Sequence, residues 1–154
     1  MASINKKDPA EVVHTHGGAP TYAVSAEEEL QRAVMSNLLW EESFYESGES
    51  IADRIKSLIP KVDPLRVAQM AIDARSLMHL RHVPLLLARE MARLDTHKHL
   101  VSRLLPEIIQ RPDELSEFLA IYWLGGKQPL SAQVKKGLAK AFVKFDRFKL
   151  SKYA

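Results

Sequence analysis

Lysines at a regular spacing near the carboxyl end are the residues of this chain best suited to bind a ligand. Residues 127–154 contain seven lysines and one arginine against a single acid, Asp146, whereas acids outnumber bases 18 to 14 in the residues before them. Such local positive charge suits a polyanion, because phosphate contacts release condensed counterions and supply most non-specific nucleic-acid affinity. Lys136, Lys140 and Lys144 recur every fourth residue, so we expect them to contact phosphates.

One amphipathic helix must position these lysines. Residues four apart share a helix face, and an apolar stripe opposite the lysines predicts a helix that begins at about Ser131. The stripe consists of Val134, Leu138, Ala141, Phe142 and Phe145. Charge runs on helices are more often solvated surfaces than binding faces, and the periodicity leaves both interpretations open.

A second basic group falls within the run ARSLMHLRHVP, residues 74–84, at the predicted boundary between the third and fourth helices. The group consists of Arg75, His79, Arg81 and His82. A loop of this composition, followed by the amino-terminal end of a helix, is suited to hold phosphates. The alternative is that its arginines pair with Asp73 or Glu90 on the surface.

Histidine and acid patterns favour neither metal binding nor catalysis. His14 with His16 and His97 with His99 form two H-x-H pairs, but alternate residues of a helix point apart, and two ligands are too few for a site. The sequence has no P-loop, no G-x-S-x-G, no G-x-G-x-x-G and no cysteine. We therefore expect no metal, no cofactor and no enzymatic activity.

Length and composition favour a single cytoplasmic domain. A chain of 154 residues is long enough to bury a core without metal ions or disulfides. No apolar run approaches the roughly 18 residues of a membrane span, and the first residues lack the apolar region of a secretory signal. We therefore expect no membrane contact.

Helix start and stop signals recur from Ser25 onward, after an irregular arm over residues 1–24. Capping residues, prolines at first helical positions and glycines past helix ends delimit seven helices, and no alternating strand pattern occurs. The helices are predicted to begin at about Ser25, Ser50, Pro64, Leu85, Leu100, Pro112 and Ser131, and Pro106 is expected to kink or split the fifth.

The residues that open the third, fifth and seventh predicted helices are Asp63, Thr96 and Ser131. They lie 33 and 35 residues apart, a spacing that is typical of helical repeats. We predict an all-α fold in which HEAT-like antiparallel helix pairs stack into a curved solenoid over residues 25–154. An ordinary helical bundle is the alternative.

Four longer runs carry a resemblance to a known family. They are VMSNLLWEESFYESGESIADRIKSLIP from Val34, MHLRHVPLLLAREMARL from Met78, IIQRPDELSEFLAIYW from Ile108 and PLSAQVKKGLAKAFVKFDRFKLSKY from Pro129. In these runs the chain resembles the bacterial Ro proteins, whose TROVE domain takes its name from telomerase, Ro and vault components. The resemblance implies HEAT-like repeats that bend into a ring, with small Y-type RNAs on its outside and single-stranded ends of misfolded RNAs in its hole.

The resemblance also implies a contact residue and a departure from the family. In the family, the lysine of a Lys-Tyr pair at the end of a basic helix contacts Y RNA, and the matching pair is Lys152 and Tyr153. The arginine and histidine that follow, the repeats that close the ring and the von Willebrand A-like domain have no counterpart before Ala154. We therefore expect a partial TROVE ring that self-associates, is completed by a second chain or carries an altered cap, because the end of a repeat array exposes an apolar face.

These observations predict a non-catalytic RNA-binding module, with a helical-repeat protein-interaction scaffold as the alternative. The predicted RNA-binding residues are Lys135, Lys136, Lys140, Lys144, Lys152, Tyr153, Arg81 and His82.

Overall fold

The computed structural model describes residues 13–14, 20–22, 24–35, 52–124 and 126–153, with side chains for Tyr22, 24–35, 52–124 and 126–146. Seven α-helices lie in this part of the chain, which confirms the predicted all-α class. They are α1 (Val24–Met35), α2 (52–58), α3 (Pro64–Ser76), α4 (His82–Ala92), α5 (Val101–Ile108), α6 (Asp113–Tyr122) and α7 (Ala132–Tyr153). Single turns of 3-10 helix follow α2 at Ile59–Lys61 and precede α5 at Lys98–Leu100.

One short pair of strands precedes the helices in the described residues. β1 (Val13–His14) and β2 (Pro20–Thr21) are antiparallel, with Val13 opposite Thr21. No strand is predicted here from the sequence, because two residues are too few to show an alternating pattern.

At two of the predicted helix starts, a side chain caps the helix. Asp63 Oδ1 accepts a hydrogen bond from the Leu65 amide at 3.3 Å, and Pro64 takes the first position of α3. At the start of α7, Ser131 Oγ accepts a hydrogen bond from the Val134 amide at 3.3 Å. These contacts satisfy amides that have no partner within the first turn of a helix.

Other boundaries differ from the prediction. α4 begins at His82 rather than Leu85, so that Pro84 lies in its first turn, where no amide hydrogen is needed. Pro106 lies inside α5, which ends at Ile108 because the Gln110 amide donates to Glu114 Oε1 at 2.8 Å instead of extending the helix. The predicted continuation of the first helix towards Gly48 lies outside the described residues.

α5 and α7 lie side by side and run in the same direction. Gly137 faces the first half of α5, where an added Cβ would lie 3.2 Å from Ser102 Cα. Two turns further along α7, Lys144 Nζ donates to the Ile109 carbonyl, just past the end of α5, at 2.8 Å. The missing side chain at Gly137 therefore permits the close approach of the two helices.

α4 and α6 also run in the same direction. The residue before α4 pairs with carboxylates in the first two turns of α6, and Arg89 near the end of α4 donates through Nη1 to the Ile121 carbonyl near the end of α6 at 3.0 Å. α1, α3, α5 and α7 pack in that order, and α4 packs on α6. Helices two apart in the chain are thus neighbours.

α4 is the centre of the core, because α3, α5 and α6 all pack against it. Every residue from Val83 to Ala92 is buried. A helix surrounded in this way must be apolar on all sides, and its two buried charges neutralise each other: Arg89 Nε donates to Glu90 Oε2 at 2.7 Å.

Candidate nucleic-acid interface

Four of the predicted lysines are exposed on α7, namely Lys135, Lys136, Lys140 and Lys144. Lys135, Lys136 and Lys140 point away from α5, whereas Val134, Gly137 and Ala141 are buried against the rest of the fold. The helical period accounts for this division, because residues 134, 137 and 141 share one face. None of the three lysines that point away from α5 enters an ion pair in the part of the chain that the structure describes.

An open groove runs along the outer side of α7. The described residues that line it are Lys136, Ala139, Lys140, Val143 and Lys144. Lys136 and Lys140 lie one turn apart on the groove, with small or apolar side chains beside them. This arrangement offers two ammonium groups to one extended anion.

Lys144 differs from the other lysines because backbone carbonyls hold its ammonium group. Nζ donates to the Pro106 carbonyl at 2.7 Å and to the Ile109 carbonyl at 2.8 Å. Burial of the ammonium group lowers the pKa of Lys144, and the Glu107 and Glu114 carboxylates partly oppose this effect. Lys144 therefore already has partners within the protein.

The apolar stripe predicted for α7 is wrong at Phe142, which is 61% exposed. Val134 and Ala141 are buried, and Leu138 and Phe145 pack against the core, as predicted. Phe142 lies about 80° from Val134 around the helix, at the edge of the stripe, and α5 is too short and narrow to cover it. An exposed aromatic ring on α7 was therefore missed from the sequence.

The last two predicted residues of α7 are placed only in part. Lys152 and Tyr153 lie in the final turn of α7, and their side chains lie outside the described ones. Their assignment to RNA stays a prediction.

Arg81 and His82 face carboxylates of α6. Arg81 Nη2 donates to Glu117 Oε1 at 2.7 Å and to Asp113 Oδ2 at 3.0 Å, and Arg81 Nε donates to Glu114 Oε2 at 3.1 Å. Burial opposes the charge of Arg81, but these three carboxylates outweigh it and raise the pKa of the guanidinium group. His82 Nε2 lies 3.7 Å from Glu117 Oε2. An RNA phosphate would have to compete with these acids.

Glu114 is the centre of this network, and its side chain is 1% exposed. Oε2 also accepts a hydrogen bond from Arg75 Nη2 at 3.0 Å, and Oε1 accepts from the backbone amides of Gln110 and Arg111 at 2.8 and 3.1 Å. The carboxylate thus joins the end of α3, the start of α4 and the start of α6.

The sequence indicates that Arg75 and Arg81 can pair with acids, but the acids it suggests, Asp73 and Glu90, are not their partners. Asp73 instead accepts a hydrogen bond from Gln69, and Glu90 pairs with Arg89 and Arg93. Glu114 has the pattern of an ordinary acid at a helix start, so nothing in its spacing reveals a partner 39 residues away.

His97 is a buried structural residue. Its Nε2 lies 2.8 Å from the Val62 carbonyl, so Nε2 carries the hydrogen, and Nδ1 lies 2.7 Å from Thr96 Oγ1 and accepts the hydroxyl hydrogen. The ring also makes an edge-to-face contact with Tyr22. Burial lowers the pKa of His97, although hydrogen bonds to the Val62 and Ile59 backbone act against the shift.

Metal sites and membrane spans are not found in the described part of the chain. No group of three or more His, Cys, Asp or Glu side chains there is arranged to hold a metal ion. No helix among these residues has the length and apolar character needed to cross a bilayer. His14 and His16 have no described side chains.

No protein-family model matches the chain, and neither a curated protein nor a solved structure matches it.

Proposed function

We propose that the protein is a non-catalytic RNA-binding module that holds its ligand on the outer face of α7. The observation that carries the proposal is the exposed set Lys135, Lys136 and Lys140 on a helix whose opposite face is buried. Ammonium groups that form no ion pair among the described residues are available to phosphates, whereas the guanidinium group of Arg81 is already surrounded by acids.

Phosphate contacts give affinity and position rather than sequence specificity. The lysine face therefore supports binding of many RNAs, selected by shape or by unpaired ends. The resemblance to Ro proteins motivates small structured RNAs of the Y type and misfolded RNAs with single-stranded ends as ligands. Phe142 adds an exposed ring on which an unpaired base can stack.

We also propose that the helices form HEAT-like repeats. Parallel packing of α5 on α7 and of α4 on α6 supports stacked helix pairs. In an up-and-down bundle, neighbouring helices are antiparallel instead. A partial TROVE ring in the cytoplasm, completed by a second chain or a second copy, is the corresponding assembly proposal.

A charge-reversal experiment tests RNA binding. The double variant Lys136→Glu/Lys140→Glu should bind a labelled RNA more weakly across sequences. It should also make the negative slope of log Kobs against log salt concentration shallower, by roughly 0.7 to 0.9 for each lost contact. Fluorescence anisotropy over a series of salt concentrations measures both quantities.

A matched control is available on other helices. Arg32 on α1 and Lys56 on α2 are also exposed, so Arg32→Glu/Lys56→Glu changes the net charge equally. Equal loss of affinity in both double variants would mean that overall charge, and not the α7 face, governs binding. Unchanged affinity in the α7 variant would reject the proposal.

A protein-interaction scaffold is the second candidate function, favoured by the exposure of Phe142 and Val143, which are 61% and 43% exposed. Such side chains suit a protein partner better than a phosphate backbone. A molar mass that rises with protein concentration, lost in Phe142→Ser and accompanied by no RNA after purification at low salt, would favour it.

A further inference from the structure

The ammonium group of Lys144 occupies the carboxyl-terminal end of α5. The last carbonyls of a helix lack intrahelical partners, and here the Gln110 amide, the usual partner of the Pro106 carbonyl, donates to Glu114 instead. Lys144 Nζ takes its place with hydrogen bonds to the carbonyls of Pro106 and Ile109 at 2.7 and 2.8 Å. A cation at this position also complements the negative end of the helix dipole.

We propose that Lys144 is a positioning residue that seats α7 on α5, and that it is not a phosphate ligand. The RNA part of this inference rests on the proposed function, whereas the seating of α7 does not.

The local charges explain why Lys144 is a poor phosphate ligand. A phosphate that approached its ammonium group would also approach the two bound carbonyl oxygens and the carboxylates of Glu107 and Glu114. These groups repel an anion. Lys136 and Lys140 lie further around α7 on the same groove and enter no ion pair or side-chain hydrogen bond among the described residues.

Two contacts, two helical turns apart, set the rotation of α7. Gly137 packs against Leu105 and Ser102, and Lys144 bonds the carbonyls past the end of α5. A one-residue change in register would rotate the helix by about 100° and carry Lys136 and Lys140 away from their outward position. Lys144 therefore acts on the RNA-binding face indirectly, by holding its orientation.

Matched single variants separate positioning from phosphate contact. Lys144→Met and Lys140→Met each remove one positive charge from the same helix. We expect Lys144→Met to lower the urea midpoint of unfolding and to speed amide hydrogen exchange in residues 137–146, whereas Lys140→Met leaves both unchanged.

Binding to a fluorescent oligouridylate provides the second measurement. Lys140→Met should reduce the salt slope by roughly 0.7, the value for one contact on a single strand. Lys144→Met should weaken binding by one constant factor at every salt concentration and leave the slope unchanged. Lys144→Arg, which keeps the charge and the donors, should restore the midpoint, the exchange rates and the affinity.

The outcomes distinguish failure of this inference from failure of the proposed function. A reduced salt slope in Lys144→Met with an unchanged midpoint and unchanged exchange would overturn the inference and make Lys144 a phosphate ligand. If neither the wild type nor any variant binds the RNA, the proposed function fails, and the midpoint, exchange and arginine rescue still decide whether Lys144 seats α7. If Lys144→Met fails to fold, Lys144→Arg provides the test. An arginine variant that folds with the wild-type exchange pattern supports the role of Lys144 in seating α7. An arginine variant that loses the protection of α7 overturns that role.

Discussion

At the scale of single residues, the same side-chain chemistry serves different purposes according to what surrounds it. Lys140 and Lys144 are both exposed and lie four residues apart in the same helix, but only the ammonium group of Lys144 is seen to bind backbone carbonyls among the described residues. Glu114 and His97 are polar groups that the core tolerates because each has its hydrogen-bond partners in place.

Glu114→Gln should destabilise the protein strongly. The change leaves the Arg75 guanidinium group, whose side chain is 10% exposed, without its carboxylate. Removing one partner of a buried ion pair costs about 3 kcal/mol, and urea unfolding should show a loss of this size. Glu28→Gln, at an exposed position of α1, is the control and should change the midpoint little. Equal midpoints in the two variants would contradict a structural role for the network.

His97 should make stability depend on pH. Because burial lowers its pKa in the folded state, the unfolded chain takes up the proton first as the pH falls below the ordinary value of about 6.5. Above that pH, His97 is neutral in both the folded and the unfolded protein and contributes no pH dependence. Below it, the stability of the folded protein falls. Asp63 raises and His99 lowers the pKa of His97 within the same region.

His97→Gln tests this dependence, because glutamine keeps an N–H donor for the Val62 carbonyl and cannot be protonated. The stability advantage of the wild type over the variant should be greatest near neutral pH and should shrink as the pH falls below about 6.5. Chemical unfolding of both proteins across this range measures it. An advantage that stays constant or grows at low pH would be inconsistent with a depressed pKa.

At the scale of helices, contacts between elements decide which face of each helix is buried. α7 has 22 residues and α5 only eight, so α5 covers one narrow side of α7 and leaves Phe142 and Val143 exposed. The apolar stripe of the sequence shows a buried side but not its width. Gly137 lies at the point of closest approach and controls how tightly the two helices pack.

Gly137→Ala should destabilise the protein despite the higher helix propensity of alanine. The new Cβ would lie 2.8 Å from Leu105 Cδ1 and 3.2 Å from Ser102 Cα, so that both a side chain and a backbone must move. Overpacking costs about 1 to 3 kcal/mol and the propensity gain is about 1 kcal/mol, which leaves a net loss of about 1 kcal/mol. Ala139→Gly, at an exposed position of the same helix, measures the effect of helix propensity alone. A higher urea midpoint of unfolding in Gly137→Ala than in the wild type would refute the close approach of α5 and α7.

At the scale of the whole molecule, the helices share one core with α4 at its centre. α3, α5 and α6 pack around α4, and the buried apolar residues of the described helices, with the exception of Ala33, belong to one cluster. Stability in such an arrangement is highest at the centre and lowest at the periphery.

Amide hydrogen exchange should follow this order. Amides within residues 86–92 of α4 should exchange at the slow limit set by global unfolding, whereas amides of α7 beyond residue 146, past the end of α5, should exchange by local opening. Mass spectrometry of peptides from the two helices compares them directly. Equal protection of both segments would show that α7 is covered along its whole length.

Local patterns were sufficient to predict the all-α class, the helices of the described residues, the cap at Asp63, the start of α7 near Ser131 and the buried side of α7. Short-range spacing specifies helix periodicity and helix ends. Local patterns did not predict the pairing of Arg75 and Arg81 with Glu114, the burial of His97 or the bonding of Lys144 to α5, because each depends on residues at least 33 positions away. They also did not predict the exposure of Phe142, because it depends on the length of a neighbouring helix. The placement of charges along the chain was visible in the amino-acid order, and only packing of the helices divided those charges between solvent and the interior.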